Sequence, residues 1–148
     1  MRSHEIDYKI IGDDIQVVEI ELDPNETVIA EAGVNHNGDM EKAKMLIRAA
    51  ASAGADYVKF QSFKADKLVS KGARKADYQI TNINDGDDNQ YNMLKKLELS
   101  NDDHKLLIEY CADQGIEFLS TAFDVDGLEY LDSLGIQVLK IPSGELTN

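Results

Sequence analysis

The sequence predicts an α/β fold built around a parallel sheet. From residue 28 onward, short apolar runs rich in β-branched and aromatic residues alternate with segments whose apolar residues recur at helical spacing. Polar side chains also gather at or just past the carboxyl ends of these runs, the edge at which parallel α/β folds bind their ligands. Together the two observations predict four strands that alternate with three principal helices.

Residues 1–27 precede this alternation and predict a β-hairpin instead. The segment "YKIIGDDIQVVEIEL" places two β-rich runs on either side of a turn at residues 12–14, and "DPN" at residues 23–25 marks a second turn. We therefore expect an N-terminal β-hairpin over residues 1–27, followed by the βα-alternating domain over residues 28–148.

The first two βα units contain the clearest boundary signals and the longest loop. The strand "VIAEAGV" leads into the helical pattern "DMEKAKMLIRAAASAGA", with Asp39 as the expected N-cap and Gly54 as the expected stop. A second strand is expected over residues 56–63. The polar stretch over residues 64–90 then predicts a loop, and a loop of more than ~15 residues is typically functional or disordered.

The alternation resumes after that loop. A short helix, "YNMLKKLEL", precedes the helix "NDDHKLLIEYCADQG", which Ser100 is expected to cap and Gly115 to end. The strand "IEFLSTAF", a helix that ends at Gly135 and the strand "QVLKIPSGE" complete the pattern.

Composition and charge exclude several classes of protein. The 148 residues suffice for one domain with a core, and 43% hydrophobic with 29% charged residues is ordinary for a soluble globular protein. The net charge of −13 argues against nucleic acid or an anionic membrane as partners; a small anion stays compatible because repulsion is screened beyond roughly 10 Å. Without a run of ~20 apolar residues or a signal peptide, a cytoplasmic protein is expected. The single cysteine, Cys111, is expected to be a buried thiol.

Lysines interrupt two strands that would otherwise be apolar. Lys59 lies within "YVKFQ" and Lys140 within "VLKIP", and a buried lysine is costly unless an anion or carboxylate meets its charge. One interpretation is a phosphate or carboxylate pocket; the other is a structural ion pair between Lys59 and Glu31 on the neighbouring strand. The polar residues expected at the strand ends are Glu31, Asn35, His36, Asn37, Lys59, Gln61, Ser120, Thr121, Lys140, Ser143 and Glu145.

We expect the three histidines to lie in different environments. His36 could bind a metal ion, but it has no second ligand at a suitable spacing, so a hydrogen bond within its own turn is the favoured interpretation. His4, on the polar N-terminal segment, and His104, on a helix face, are expected to be solvated.

Five motifs give the chain a family resemblance. In order they are "IAEAGVNHNG", "GADYVKFQSF", "YNMLKKLELS", "FLSTAF" and "LKIPSGELTN". With them, residues 28–148 resemble the sialic acid synthase family, whose members condense phosphoenolpyruvate with an N-acetylated amino sugar. The resemblance implies a TIM-type (β/α)₈ barrel opened by a β-hairpin, with residues 28–148 forming its first half, about four βα units, and the C-terminal half absent.

The resemblance also implies a reaction and a set of roles. A divalent metal ion, Mn²⁺ or Mg²⁺, polarises the sugar aldehyde, C3 of phosphoenolpyruvate attacks it, water adds at C2 and phosphate leaves with cleavage of its C–O bond. Lys59, Thr121, Lys140 and Ser143 would hold the phosphate and carboxylate of phosphoenolpyruvate. Glu31 and Glu145 would handle protons or order water, Gln61 would support the pocket, and Asn35 would shape its rim.

Three features depart from the family pattern. Ala122 replaces the proline of the usual "STPF", and the family's metal-binding histidines would lie beyond residue 148, so no metal ligand is assigned. The first ~30 residues look more similar to an unrelated all-β bacterial family. The leading interpretation is a truncated synthase with little activity alone, and the alternative is a non-catalytic anion-binding or self-associating fragment or chimera. Two unpaired sheet edges would allow a homodimer.

Overall fold

The N-terminal segment forms a two-stranded antiparallel sheet. The computed structural model of the chain describes residues 5–11, 14–20, 25–70 and 89–145. In it, β1 (Glu5–Ile11) pairs with β2 (Asp14–Ile20) over their full lengths. These strands confirm the predicted hairpin. Residues 12–13 and 23–24 of the predicted turns lie outside the described residues, and the domain boundary after residue 27 stays a prediction.

The second sheet is parallel and carries the candidate site. Its strands β3 (Ile29–Gly33), β4 (Tyr57–Ser62) and β5 (Glu117–Ala122) lie in the order β3-β4-β5. The Asp56 carboxylate accepts the backbone N–H of Val28 at 2.9 Å, which ties together the segments that enter β3 and β4. The parallel sheet expected from the alternating pattern is confirmed.

The helices begin and end largely where local signals place them. Asp39 caps α1 by accepting two backbone N–H groups, and Ser100 forms a capping box with Asp103 at α4. Gly54 and Gly115, at φ +81° and +72°, follow the ends of these two helices, as predicted. No described helix is long and apolar enough to cross a membrane. The helices are α1 (Met40–Ser52), α2 (Ala65–Leu68), α3 (Gln90–Leu97), α4 (Asn101–Gln114) and α5 (Val125–Ser133), followed by a 3₁₀ turn (Ser143–Glu145).

The hydrophobic core lies between the parallel sheet and helices α1 and α4. Ile47 of α1 and Leu107 of α4 are fully buried there together with Phe60 of β4. The Phe60 ring stacks on Phe118 with centroids 5.6 Å apart. Cys111 of α4 belongs to the same core, and burial raises the pKa of its thiol to about 12. The predicted buried cysteine is therefore confirmed, as a protonated thiol.

Strand register assigns the site residues to the other face of the sheet. Side chains alternate along a strand, and Val58 and Phe60 point into the helix-facing core. Lys59 and Gln61 therefore lie on the opposite face. Thr121 is the register partner of Gln61 and shares that face. One face thus supplies the core and the other presents polar groups.

The segment after β4 differs from the prediction in its first residues. We expected a loop over residues 64–90, but α2 begins at Ala65 and α3 at Gln90. The backbone N–H of Ala65 donates to Glu98 Oε1 at 2.7 Å, and the Ala65 side chain is fully buried. Because this anchor is 33 residues away in sequence, no local pattern indicated the turn of helix. Residues 71–88 lie outside the described part of the chain.

The fourth predicted strand is reduced to a single bridge. Within "QVLKIPSGE", Lys140 pairs in parallel with Thr121 of β5. The side chains of Val138, Leu139 and Ile141 are exposed. The segment therefore lacks the burial on both faces that stabilises a strand in a parallel sheet. It lies beside β5 through this bridge, but without a ladder of paired residues.

Candidate functional site

Predicted site residues from successive strands share one face and one edge of the parallel sheet. Glu31 of β3 is the register partner of Lys59 of β4, and Gln61 of β4 is the partner of Thr121 of β5. The bridge to Thr121 places Lys140 beside them along the sheet. Since these residues lie toward the carboxyl ends of their segments, the structure puts them at the edge where parallel α/β proteins bind ligands.

Lys59 and Glu31 form an ion pair across this face. Lys59 Nζ lies 2.6 Å from Glu31 Oε2, with 18% of the lysine side chain and 53% of the glutamate side chain exposed. The structural pair that the sequence left open as an alternative is therefore present. The carboxylate is half exposed, so solvent screens the pair on that side, and an ammonium has three donors, of which this pair uses one. The pair thus leaves Lys59 able to bind an anion.

The backbone of Lys140 lies at the same edge, but its ammonium group is hydrogen-bonded to the next residue of its own segment. Its Nζ donates to the carbonyl oxygen of Ile141 at 2.7 Å, and the side chain is exposed. Thr121, its bridge partner, is buried. Ser143 and Glu145 follow in the 3₁₀ turn, where the Glu145 N–H donates to the Pro142 carbonyl. The structure therefore groups these residues by position along the edge, with the Lys140 cation turned along its own segment.

The turn after β3 is built from consecutive tight hydrogen bonds. Asn35 N–H donates to Ala32 O at 3.1 Å, and Asn37 N–H donates to Val34 O at 3.0 Å. Asn37 has a φ of +52°, the left-handed conformation that asparagine tolerates better than most residues. Asn35 is exposed at this turn, beyond the carboxyl end of β3. The prediction that the Asn-rich turn shapes the rim at the carboxyl end of β3 is consistent with this position.

His36 is buried inside that turn and fixes its shape. Its Nδ1 accepts the backbone N–H of Gly38 at 3.0 Å, which is the turn hydrogen bond favoured by the sequence. The proton of the neutral ring therefore lies on Nε2, for which the described residues provide no partner. Burial lowers the pKa of His36, against an opposing effect of Asp103.

On the helix-facing side, a buried hydrogen-bonded chain joins α4 to β4 and β5. His104 Nε2 lies 2.6 Å from Ser62 Oγ, which lies 2.6 Å from Ser120 Oγ. All three side chains are buried, His104 with only 2% exposure. The expectation that His104 is solvated is therefore wrong. We call the edge formed by Glu31, Lys59, Gln61, Thr121 and Lys140 the ligand edge. Ser120, which the sequence analysis grouped with Thr121, lies on the opposite face of β5 and is not part of the ligand edge.

Two sequence signals could have indicated this arrangement. His104, Leu107 and Cys111 follow helical spacing and form the buried stripe of α4. Ser120 and Thr121 are adjacent in a strand, so they must point to opposite faces. The interpretation of Ser120 as a strand-end hydroxyl on the ligand edge ignored this alternation.

The described residues do not supply a metal site. Within residues 25–70 and 89–145, no three His, Cys, Asp or Glu side chains come together as a group that could hold a metal ion. These residues thus do not fit the Mn²⁺ or Mg²⁺ that the family resemblance implies. The assignment of the metal ligands to a region beyond residue 148 stays a prediction.

The fold and the edge define the class of protein. A parallel βα sheet with lysine, glutamate, amide and hydroxyl groups at the carboxyl ends of neighbouring strands is typical of an α/β barrel with its ligand site on that edge. The model of the NeuB family matches residues 46–148, more than half of the chain. The chain belongs to this family, the sialic acid synthases.

Named relatives agree with this membership. An N,N'-diacetyllegionaminic acid synthase of Legionella pneumophila is 58% identical over 121 residues, which are 82% of this chain and 34% of the relative. The spore coat polysaccharide biosynthesis protein SpsE of Bacillus subtilis is 34% identical over 100% of this chain and 36% of its own length. The chain therefore spans about a third of the length of these curated relatives.

Solved structures agree as well. The crystal structure of an N-acetylneuraminic acid synthetase from Leptospira borgpetersenii, in complex with citrate, superposes with a TM-score of 0.63 at 27% identity. The superposition covers 95% of this chain and 42% of the other. The predicted family and partial barrel are confirmed. The match to SpsE extends over the whole of this chain, including the first ~30 residues.

Proposed function

We propose that this chain takes part in the condensation of phosphoenolpyruvate with an N-acetylated amino sugar, giving a nonulosonic acid and phosphate. The observation that carries the proposal is the shared edge of Lys59, Gln61 and Thr121 on neighbouring parallel strands. The name of the Legionella relative, at 58% identity, supports a diacetylated diamino sugar as the acceptor and a legionaminic-type product. Because the matched residues are only 34% of that relative, we expect little turnover from this chain alone.

The cations of the site would hold the two acidic groups of phosphoenolpyruvate. A lysine about 4 Å from a phosphate contributes on the order of 4 kcal/mol at an effective dielectric constant near 20. Lys59 and Lys140 can therefore offset the diffuse repulsion of a chain with net charge −13. Thr121 and Ser143 would add hydroxyl donors, and the Gln61 amide would orient the ligand beside Lys59.

The carboxylates would handle the protons of the reaction. A bond forms between C3 of phosphoenolpyruvate and the sugar aldehyde carbon, whose oxygen gains a proton, and C2 gains cationic character. Water adds at C2 and loses one proton. The bond between C2 and the bridging oxygen then breaks, phosphate leaves with that oxygen and takes up the proton of the C2 hydroxyl, and C2 becomes a ketone. Glu31 and Glu145 would accept and return these protons, and Asn35 would shape the rim of the site.

The test is phosphoenolpyruvate binding, followed by ³¹P NMR, together with phosphate release in the presence of amino sugar and Mn²⁺. Lys59→Ala and Lys140→Ala should each weaken binding by at least about tenfold, because a hydrogen bond to a charged group is lost. Lys105→Ala is the matched control, since Lys105 is an exposed lysine of α4 whose nearest carboxylate is 4.0 Å away. Equal binding by all variants would contradict the proposal.

The exposed edge favours a second candidate, a non-catalytic fragment that binds anions or self-associates. Val138, Leu139 and Ile141 present apolar side chains beside β5, where a further strand could pair. Binding of phosphoenolpyruvate without phosphate release under any sugar or metal condition would support this candidate. Phosphate release that both lysine variants abolish would support the enzyme.

A further inference from the structure

We infer that His104, acting through Ser62 and Ser120, is a positioning residue that holds the carboxyl ends of β4 and β5 together and thereby places Gln61 and Thr121. The inference rests on the proposed function only for the identity of the ligand that Gln61 and Thr121 bind. The positioning itself follows from the buried hydrogen-bonded chain on the helix-facing side of the sheet.

The geometry fixes the direction of every hydrogen bond in this chain. His104 Nδ1 lies 2.7 Å from the carbonyl oxygen of Ser100, which can only accept, so Nδ1 carries the proton. Nε2 of the neutral ring must then accept, and Ser62 donates its hydroxyl proton to it at 2.6 Å. Ser62 Oγ in turn accepts the hydroxyl proton of Ser120 at 2.6 Å. Each hydroxyl therefore has one defined orientation.

The chain crosses from one strand to the next beside the site. Ser62 is the register partner of Ala122, and Ser120 is the partner of Phe60, so the two serines bond diagonally across the β4–β5 pair. Gln61 and Thr121 lie between these partners in register and face the other way. A slip or separation of the strands would break the serine bond and displace both ligand-edge residues.

Helix α4 provides a fixed anchor for the chain. Its first turn is held by the reciprocal capping box of Ser100 and Asp103, and His104 lies one turn after Ser100. Leu107 and Cys111 then bury the next two turns in the core. The imidazole therefore links the ends of two strands to a helix whose own position is fixed by packing.

A cavity next to this chain allows a conservative test. Its volume is about 210 Å³, and Ser62, His104 and Tyr130 are among its lining residues. The rings of His104 and Tyr130 meet edge to face at 5.3 Å between centroids. Because Ser62 lines this cavity, we expect Ser62→Thr to keep the hydroxyl and to accommodate the added methyl group with little overpacking.

The experiment compares Ser62→Ala, Ser62→Thr and His104→Phe with Cys111→Ala, which truncates another buried α4 side chain outside the hydrogen-bonded chain. The readouts are the ¹H–¹⁵N resonances of the Gln61 side-chain amide and the Thr121 backbone amide in the free protein, with unfolding free energies measured in parallel. Ser62→Ala and His104→Phe should each move both resonances, whereas Ser62→Thr should keep both close to their wild-type positions. Cys111→Ala should lower stability and leave both resonances in place.

Affinity for phosphoenolpyruvate gives a second readout. Ser62→Ala and His104→Phe should weaken it about tenfold, because a misplaced ligand group loses its contact, whereas Cys111→Ala should not. Unmoved resonances in Ser62→Ala, or equal movement in Cys111→Ala, would overturn the positioning role. If the wild-type chain binds no phosphoenolpyruvate, the proposed function fails, and the resonances still decide the role of His104.

Discussion

Glu31 forms an ion pair with Lys59, the residue that we propose binds an anionic ligand. Its carboxylate lies 2.6 Å from Lys59 Nζ, and both side chains are partly exposed. In the free protein, Glu31 therefore takes the place of a ligand oxygen on Lys59, and an incoming phosphate or carboxylate must share or displace it. The ion pair orients the Lys59 ammonium, and Glu31 would compete with a bound anion for it.

Glu31→Gln should strengthen anion binding while it removes a group that the proposed reaction needs. A pair with a half-exposed carboxylate is worth on the order of 0.2–1 kcal/mol, so the affinity for inorganic phosphate should rise about 1.4- to fivefold. Isothermal titration calorimetry at low salt measures the change. Glu41→Gln removes the carboxylate of another exposed pair, with Lys44, and should leave the affinity unchanged. Weaker phosphate binding by Glu31→Gln would show that Glu31 does not compete for Lys59.

The two buried histidines make stability depend on pH. Burial is the main cause that lowers the pKa of His104, with Lys64 adding to it and the Ser100 carbonyl and Asp103 opposing it. Burial likewise lowers the pKa of His36, against Asp103. In the unfolded chain both titrate near their ordinary value of about 6.5, so the unfolded state binds more protons below that pH. The stabilisation is fully present above about pH 6.5 and is lost as the pH falls toward the folded-state pKa values.

We therefore expect the free energy of unfolding to fall between about pH 7.5 and about pH 5.5, before most carboxylates titrate. Urea unfolding across this range measures the slope. His104→Gln removes one of the two groups and should make the slope shallower. A slope that is equally steep in His104→Gln would mean that this histidine is not buried in its neutral form.

At the scale of the elements, the turn after β3 is held against the end of α3. Gly38 has a φ of +76°, and a Cβ atom built on it would overlap the carbonyl oxygen of Lys96. Glycine is thus required at residue 38 by conformation and by space together. The contact fixes the rim of the ligand edge against a helix that follows β4 in the chain.

Gly38→Ala should lower the free energy of unfolding by more than Gly54→Ala does. Gly54 has a similar φ of +81°, but a Cβ there meets nothing within 4 Å, so its replacement costs only the backbone strain of ~1–2 kcal/mol. The difference between the two variants in urea unfolding isolates the contact with Lys96, and we expect an additional ~1 kcal/mol or more. Equal effects would mean that the turn can move away from α3 at little cost.

Elements whose ends depend on their own residues could be predicted, and elements held by distant contacts could not. Asp39 and Ser100 cap their helices with nearby backbone groups, so the sequence alone located them. Helix α2 depends on Glu98, which is distant in the chain, and the polar composition of residues 64–90 indicated a loop. The segment around Lys140 has a strand-like sequence, but a strand also needs neighbours, and the described part of the chain gives it one bridge.

The same distinction applies to the site. The lysine and carboxylate of the ligand edge stand out because charged groups interrupt apolar strands, and the structure pairs Lys59 with Glu31. His104 and Ser62 were missed because serine is mostly exposed in proteins and histidine is only intermediate in burial, so residue type outweighed the helical spacing of His104 with Leu107 and Cys111. Only the three-dimensional packing of α4 on the sheet joins them. Whether the eight predicted site residues bind substrate stays a prediction.

At the scale of the whole molecule, the exposed apolar segment beside β5 predicts self-association. We expect a dimer fraction in size-exclusion chromatography that grows with protein concentration. It should also grow with salt, because salt screens the repulsion between two chains of net charge −13. Ile141→Lys should abolish it, whereas Met45→Lys, at an exposed residue of α1, should not. A monomer at every salt concentration would contradict edge pairing.

Adjacent residues of β5 have different neighbours. Thr121 is the register partner of Gln61 on the proposed ligand edge, and Ser120 belongs to the hydrogen-bonded chain that leads to α4. Because successive side chains alternate, deletion of one residue earlier in β5 would exchange these assignments along the rest of the strand. Thr121 would turn its hydroxyl toward the helices, and Ser120 would turn toward the ligand. A chain altered in this way would keep every functional group in its composition and lose both arrangements at once, so the number of residues in this strand is as constrained as their types.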